Sequence, residues 1–326
     1  MTDPTPSLDD LRAAAAALAA VAPRTPLLDA PDLTERLGAP VALKLEQLHP
    51  IGAFKVRGAF TALSRLPDAA RIHGVITHSS GNHGQAVAWA ARHFGVAAVI
   101  VMPADASPVK VDGVRRHGGE VVFVEHRSER QPRAEQLARE RGLTLVPPYE
   151  HVDVIAGQGT CGLEILDQCP EVETILVPVG GGGLIAGIAS AVRRLKPTVR
   201  VIGVEPAGAP KLSRALAAGR PVSLDSTASI ADGLLPARIG TLPFEVMRPV
   251  VREAVTVGED AIRAAVRYIF ERLRLTVEPS GAVTTAALLG GRIPAATRGS
   301  GPIVAVVSGG NVESSLFERL VHASPS

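Results

Sequence analysis

Lys55 is one of only five lysines in a 326-residue chain, and it stands between two apolar neighbours, Phe54 and Val56. An ammonium so placed loses part of its hydration. That lowers its pKa and leaves the amine available as a nucleophile. The ordinary alternative for a lysine is a surface position on an amphipathic helix. Three loops give Lys55 chemical company. His78-Ser79-Ser80-Gly81-Asn82-His83-Gly84 links an apolar run to a helical pattern, and its turned backbone N–H groups and helix start suit a carboxylate. As a plain turn it would be an N-capped strand–helix junction. Gly180-Gly181-Gly182-Gly183 precedes a helix beginning near Leu184, where bare amides at a helix N-terminus suit a phosphate. Ser308-Gly309-Gly310-Asn311 directly follows another apolar run and offers a hydroxyl at a strand end.

Taken together, a desolvatable amine, a carboxylate loop and a phosphate loop are the parts of a pyridoxal phosphate enzyme. The lysine makes the Schiff base, and the two loops hold the cofactor's phosphate and the substrate's carboxylate. A rival reading uses the second loop differently. Gly181, Gly183 and Ala186 satisfy G-x-G-x-x-A, and Glu205 lies near the spacing of a ribose-binding acid, so a nicotinamide-dependent oxidoreductase is an alternative. It leaves Lys55 and the first loop without purpose, and Pro206 sits awkwardly after the acid.

The elements that must position these groups are legible as apolar, β-branched runs at 41–45, 75–77, 97–101, 121–124, 174–179, 199–204 and 303–307. Several are apolar almost throughout, as strands covered on both faces are. Helical patterns at 85–94, 133–141, 183–195 and 260–273 alternate with them, which predicts an α/β fold with mostly parallel sheets. Ligands of such sheets bind beyond the carboxyl ends of the strands, where the three loops fall. The Pro147-Pro148-Tyr149 punctuation suggests a seam. We expect a small domain at 52–149 and a large, cofactor-binding one made of 1–51 and 150–326.

Composition excludes several classes. Hydrophobic residues are 46% and aromatics 3%, so an aliphatic core is expected, and a formal charge of +2 without a basic block argues against nucleic acid or a membrane surface. The apolar stretch 13–22 is too short to cross a bilayer and lacks the flanks of a signal peptide. Two cysteines, Cys161 and Cys169, make neither a disulfide framework nor a zinc spacing, which suits the cytoplasm.

At the level of motifs, Gly52-Ala53-Phe54-Lys55-Val56-Arg57-Gly58-Ala59 resembles the lysine signature of the serine/threonine dehydratases and eukaryotic-type serine racemases. Ser79-Ser80-Gly81-Asn82-His83-Gly84-Gln85, the segment Val152 to Thr160 with its Ala156-Gly157-Gln158-Gly159-Thr160, the tetraglycine and the third loop are similar to that family's motifs in the same order. The resemblance implies a fold-type II pyridoxal phosphate enzyme, tryptophan synthase β-like, with two open α/β domains and the active site between them. It implies that Lys55 carries the cofactor and then serves as the Cα base. Gly180, Gly181, Gly182, Gly183 and Leu184 would hold the phosphate, Asn82 the ring's phenolic oxygen, Phe54 the ring's surroundings and Ser308 the pyridine nitrogen. Ser79, Ser80, Gly81, Asn82 and His83 would receive the substrate. Because a serine does not enforce protonation of the ring nitrogen, elimination is favoured over transamination.

The implied activity is an ammonia-lyase that removes water from L-threonine, L-serine or a similar β-hydroxy-amino acid, giving a 2-oxo acid and ammonia. Ser80, which the resemblance places opposite Lys55 as an acid/base, makes serine racemase the alternative. The family suggests a homodimer acting on small amino acids. The long C-terminal regulatory domain of biosynthetic threonine dehydratases is expected to be absent. The metal-activated members' cation site matches at Glu205 but carries Lys211 in place of its second acid, so we expect no metal there, the ammonium pairing with Glu205 instead.

Overall fold

A computed structural model describes residues 4–79, 81–294 and 301–322. Its strands are β1 (Leu27–Asp29), β2 (Val41–Leu45), β3 (Val75–His78), β4 (Ala98–Pro103), β5 (Glu120–Val124), β6 (Thr144–Leu145), β7 (Thr174–Pro178), β8 (Arg200–Pro206), β9 (Glu253–Val257) and β10 (Ile303–Val307). They form a six-stranded sheet, β1-β2-β10-β7-β8-β9, and a four-stranded sheet, β5-β4-β3-β6. Every pairing is parallel except that of β1 with β2. All the runs expected to be strands are strands. The three that sequence patterning passes over, β1, β6 and β9, lie at sheet edges. Edge strands are short or half exposed, so they lack the unbroken apolar run that marks a covered strand.

Burial explains the runs. Along β10, Val304 and Val306 pack in a cluster with Ile185 and Ile188 of the helix Gly183–Leu195, while Ile303, Ala305 and Val307 pack in another with Val283 and Ala287 of the helix Pro279–Leu289. Successive strand side chains point to opposite faces, so both faces of this sheet are covered. The helix Pro279–Leu289 is buried on nearly every side and shows no polar stripe, which is why helical periodicity does not reveal it. Helix Val152–Gln168 crosses helix Gly183–Leu195 closely: a Cβ added to Gly187 would lie 2.4 Å from the Gly159 nitrogen.

Helix Lys55–Ser64 is tied to the six-stranded side by charge as well as packing. The buried guanidinium of Arg57 donates to Glu46 Oε2 at 2.7 Å and Oε1 at 2.8 Å, to Glu164 Oε1 at 2.7 Å and Oε2 at 2.8 Å, and to Thr160 at 2.9 Å. Lys44 joins through Glu164. Burial alone would raise the Glu46 pKa, but Arg57 and His49 hold it well below the usual carboxylate range.

Candidate active site

Lys55 is the first residue of its helix, and the third loop sets where that helix begins. The Phe54 N–H donates to the Ser308 carbonyl at 3.1 Å, the Gly310 N–H donates to the Gly52 carbonyl at 2.9 Å, and Ala53 bridges Gly309. The Lys55 amine donates to the Pro148 carbonyl at 2.9 Å and lies 5.1 Å from the Phe54 ring centre. Burial pulls its pKa down to about 8, as the apolar flanks lead one to expect.

The amine and the tetraglycine are brought together by the residues of the expected seam. Tyr149 follows Pro148, and its ring lies on the glycines: a Cβ on Gly181 would come within 2.2 Å of it. Gly182 has φ +96° and caps the helix that starts at Gly183, a conformation open to glycine at little cost. The amides of Gly183 and Leu184 open that helix and have no acceptor within it. A cradle of bare amides at a helix N-terminus, a few side chains from a depressed-pKa amine, fits a phosphate-bearing aldehyde.

Ser308, Asn82 and His83 lie in the same neighbourhood. β10 neighbours β7, so Ser308 follows the strand beside the glycine loop; it is buried, and its hydroxyl lies 3.5 Å from the Ser280 carbonyl. Asn82 opens the helix Asn82–His93 with its carboxamide gripped on both sides, by Glu278 Oε1 at 2.6 Å and by Asn311 Nδ2 at 2.9 Å. Ser79 accepts the Gly81 N–H at 3.1 Å, so this part of the loop holds its own turn. His83 is buried against the Val146 carbonyl at 3.1 Å, and burial, then the nearby Lys55 charge, keep it neutral with a pKa well below the ordinary histidine value. Ser80 lies outside the described residues.

Four participants were not assigned from sequence. Tyr149 read as part of a seam, and Asn311 as the end of an ordinary loop. Lys110 stands between Val109 and Val111, an apolar setting like that of Lys55; its ammonium bonds Asp232 at 2.6 Å and faces Glu278 at 3.4 Å, lying over Gly81. Glu278 looks in sequence like a helix cap before Pro279. Its pKa is raised, chiefly by burial, against the pull of Lys110.

Glu205 removes the dinucleotide reading. Both its oxygens are committed: Oε2 accepts from the Leu212 N–H at 2.8 Å, and Oε1 accepts from the Ser213 N–H and hydroxyl at 2.8 Å each. It is fully buried, as is Lys211, whose ammonium lies 3.6 Å away and donates to the Ala209 carbonyl at 2.9 Å. Buried and bonded within its own turn, the carboxylate is not presented to a ribose. Among the described residues no group of three or more His, Cys, Asp or Glu is placed to hold a metal ion.

A desolvated amine and a glycine-lined helix N-terminus, at the carboxyl ends of parallel strands, are what a pyridoxal phosphate enzyme built on two open sheets requires. Comparison with known proteins makes the class specific. The chain belongs to the pyridoxal-phosphate dependent enzyme family, which it matches over residues 18–309. It is 45% identical over 269 residues to the "L-threonine dehydratase biosynthetic IlvA" of Pasteurella multocida (strain Pm70), covering 82% of this chain and 52% of that protein. It is 39% identical over 320 residues to a serine racemase of Oryza sativa subsp. indica, covering 96% and 94%. The structure of maize serine racemase superposes with a TM-score of 0.91 at 38% identity, covering 97% of this chain and 98% of that one. The chain thus spans about half the length of the bacterial dehydratase and nearly all of the racemases. The fold is that of the fold-type II enzymes, and the cofactor is pyridoxal phosphate.

Proposed function

We propose that this protein is an ammonia-lyase that eliminates water from L-threonine, L-serine or a similar β-hydroxy-amino acid. The observation that carries the reading is the Lys55 amine, held on the Pro148 carbonyl with its pKa near 8, next to the glycine cradle. Gly180 to Gly183 and Leu184 would hold the cofactor's phosphate, with Asn82 on its phenolic oxygen, Phe54 near the ring and Ser308 at its nitrogen. The cofactor, when bound, supplies an electron sink conjugated to the substrate's Cα. Lys55, its amine free, would take the Cα proton. The β-hydroxyl would leave as water, taking up a proton to balance the one that Lys55 removed from Cα, and the enamine product would hydrolyse to a 2-oxo acid and ammonia. Ser79, Gly81, Asn82 and His83 would orient the substrate carboxylate through the opening amides of helix Asn82–His93. Ser308 carries no formal charge, so it does not force a proton onto the ring nitrogen.

A second reading, racemisation, draws on Ser80 and on the names of the plant relatives. The two are separated by one assay: incubate with L-threonine or L-serine, measure 2-oxo acid and ammonia, and resolve the remaining amino acid by chirality. Stoichiometric 2-oxo acid and ammonia that vanish with Lys55→Ala support the lyase. Inverted serine without them would overturn it, and Ser80→Ala should abolish only the inversion.

The two sheets support a small domain at 52–149 and a large one from 1–51 and 150–326, with the site between. Lys211 acts here as a tethered cation on Glu205, so no divalent ion is needed. A cytoplasmic homodimer completes the reading. No helix among the described residues is long and apolar enough to cross a membrane.

A further inference from the structure

Glu278 stands at the N-cap of helix Pro279–Leu289 and makes no capping bond to it. A carboxylate there ordinarily accepts from its own helix's first amides. This one is turned outward: Oε1 takes the Asn82 Nδ2 at 2.6 Å, while Oε2, buried and without a hydrogen bond, faces the Lys110 ammonium at 3.4 Å. Both partners come from helices beside the four-stranded sheet, whereas Glu278 belongs to a helix packed on the six-stranded one. Asp232 holds Lys110 from the same side as Glu278, at 2.6 Å. Room for the pair is provided by a missing side chain, since a Cβ on Gly309 would lie 2.4 Å from Glu278 Oε1 and 3.2 Å from Asn82 Nδ2.

These contacts fix the Asn82 carboxamide. Its oxygen accepts from Asn311 Nδ2 at 2.9 Å, and one of its two N–H bonds is spent on Glu278. A flipped amide would set oxygen against carboxylate and N–H against N–H. One N–H is left to donate. Burying a carboxylate is costly unless it is paired, and Lys110 supplies the charge that keeps this one in place.

Resting on the pyridoxal phosphate reading above, we propose that Glu278 is a positioning residue: with Asn311 it locks Asn82 so that its free N–H meets the phenolic oxygen of the cofactor, and with Lys110 and Asp232 it makes that lock dependent on the docking of the two sheets. Glu278 touches neither substrate nor cofactor in this role. It acts through Asn82.

The N–H stabilises the anionic oxygen, and its loss makes that oxygen hold the proton it shares with the Lys55 nitrogen more tightly. The pH midpoint of the visible absorbance of the reconstituted protein therefore reads the lock. Glu278→Ala should raise the midpoint by about one pH unit, the scale of one hydrogen bond to a charged atom. Asn82→Ala should raise it in the same direction, and the double variant no further than Asn82→Ala alone. Lys110→Met should weaken pyridoxal phosphate binding by about tenfold and move the midpoint the same way. Asn311→Ala reports on the opposite grip and serves if Glu278→Ala fails to fold. Borohydride reduction of the wild-type holoenzyme at Lys55 is the control. No label on Lys55 would sink the cofactor reading itself. A labelled Lys55 with unmoved midpoints in Glu278→Ala or Asn311→Ala, or additive shifts in the double variant, would overturn this proposal alone.

Discussion

At the scale of single residues, the reactivity of Lys55 is a matter of solvation. Burial brings its pKa to about 8 from an ordinary 10.5, with no neighbouring charge needed to explain it. In cofactor-free protein the unfolded chain holds more protons than the native one between those two values, so the contribution of Lys55 to stability rises with pH across that window. The free amine is the reacting species. The rate of condensation with pyridoxal phosphate should therefore climb with pH and level off above about 8, and stopped-flow absorbance of the cofactor-free protein would show it. A plateau delayed to the ordinary lysine range would mean that the amine is not desolvated. Lys211 follows the same logic, drawn to about 8 by burial against the opposing pull of Glu205.

Elements make these groups neighbours. The turn from β8 into the helix Lys211–Ala218 buries Glu205 and Lys211 as a pair. Removing one member of such a pair leaves an uncompensated charge. Lys211→Ala should lower the thermal midpoint, and millimolar calcium or magnesium should restore part of it, while chelator leaves the wild type unchanged. Differential scanning fluorimetry with and without the ion checks both arms. The glycine loop makes a second case. Gly181→Ala would drive a methyl into the Tyr149 ring, and through Tyr149 disturb the Pro148 carbonyl that holds Lys55. The expected cost is about 1–3 kcal/mol of stability and at least tenfold in pyridoxal phosphate affinity, read by urea titration and by fluorescence of the bound cofactor.

For the molecule as a whole, one ionic network joins apolar packing in holding the lysine helix. Arg57 links helix Lys55–Ser64 to Glu46 and to Glu164 of helix Val152–Gln168, and breaking a buried pair of this kind typically costs about 3–5 kcal/mol. Arg57→Met should lose that order of stability in cofactor-free protein, measured by urea unfolding at pH 7. The native Glu46 pKa lies well below 4.5, so its stabilisation is complete above about that pH and fades as the pH falls towards the native value. Arg57→Met should therefore lose less stability than the wild type when the pH is lowered through 4.5. Equal losses would show that the network does not govern acid stability.

Chemistry-bearing loops and covered strands were legible because each leaves a local mark. Four consecutive glycines and unbroken β-branched runs need no partner to be recognised, whereas Lys55, apolar-flanked like Lys44 and Lys110, stood out only with the loops that accompany it. The strands β1, β6 and β9 left no such mark, since an edge strand needs only one hydrogen-bonded neighbour and little burial. Helix Pro279–Leu289 was hidden for the opposite reason, being buried on nearly every side. Glu278, Lys110 and Asp232 are separated by scores of residues and meet only where the two sheets face each other. Glu205 shows the reverse error, a dinucleotide fingerprint in spacing whose acid is spent inside its own turn. Residue type and local order thus determined the candidate amine, the glycine loop and the alternation of strand and helix. Which polar groups remain free to act was decided by the folded structure, because a hydrogen-bonding group already satisfied, by a distant neighbour or within its own turn, has less to offer a ligand.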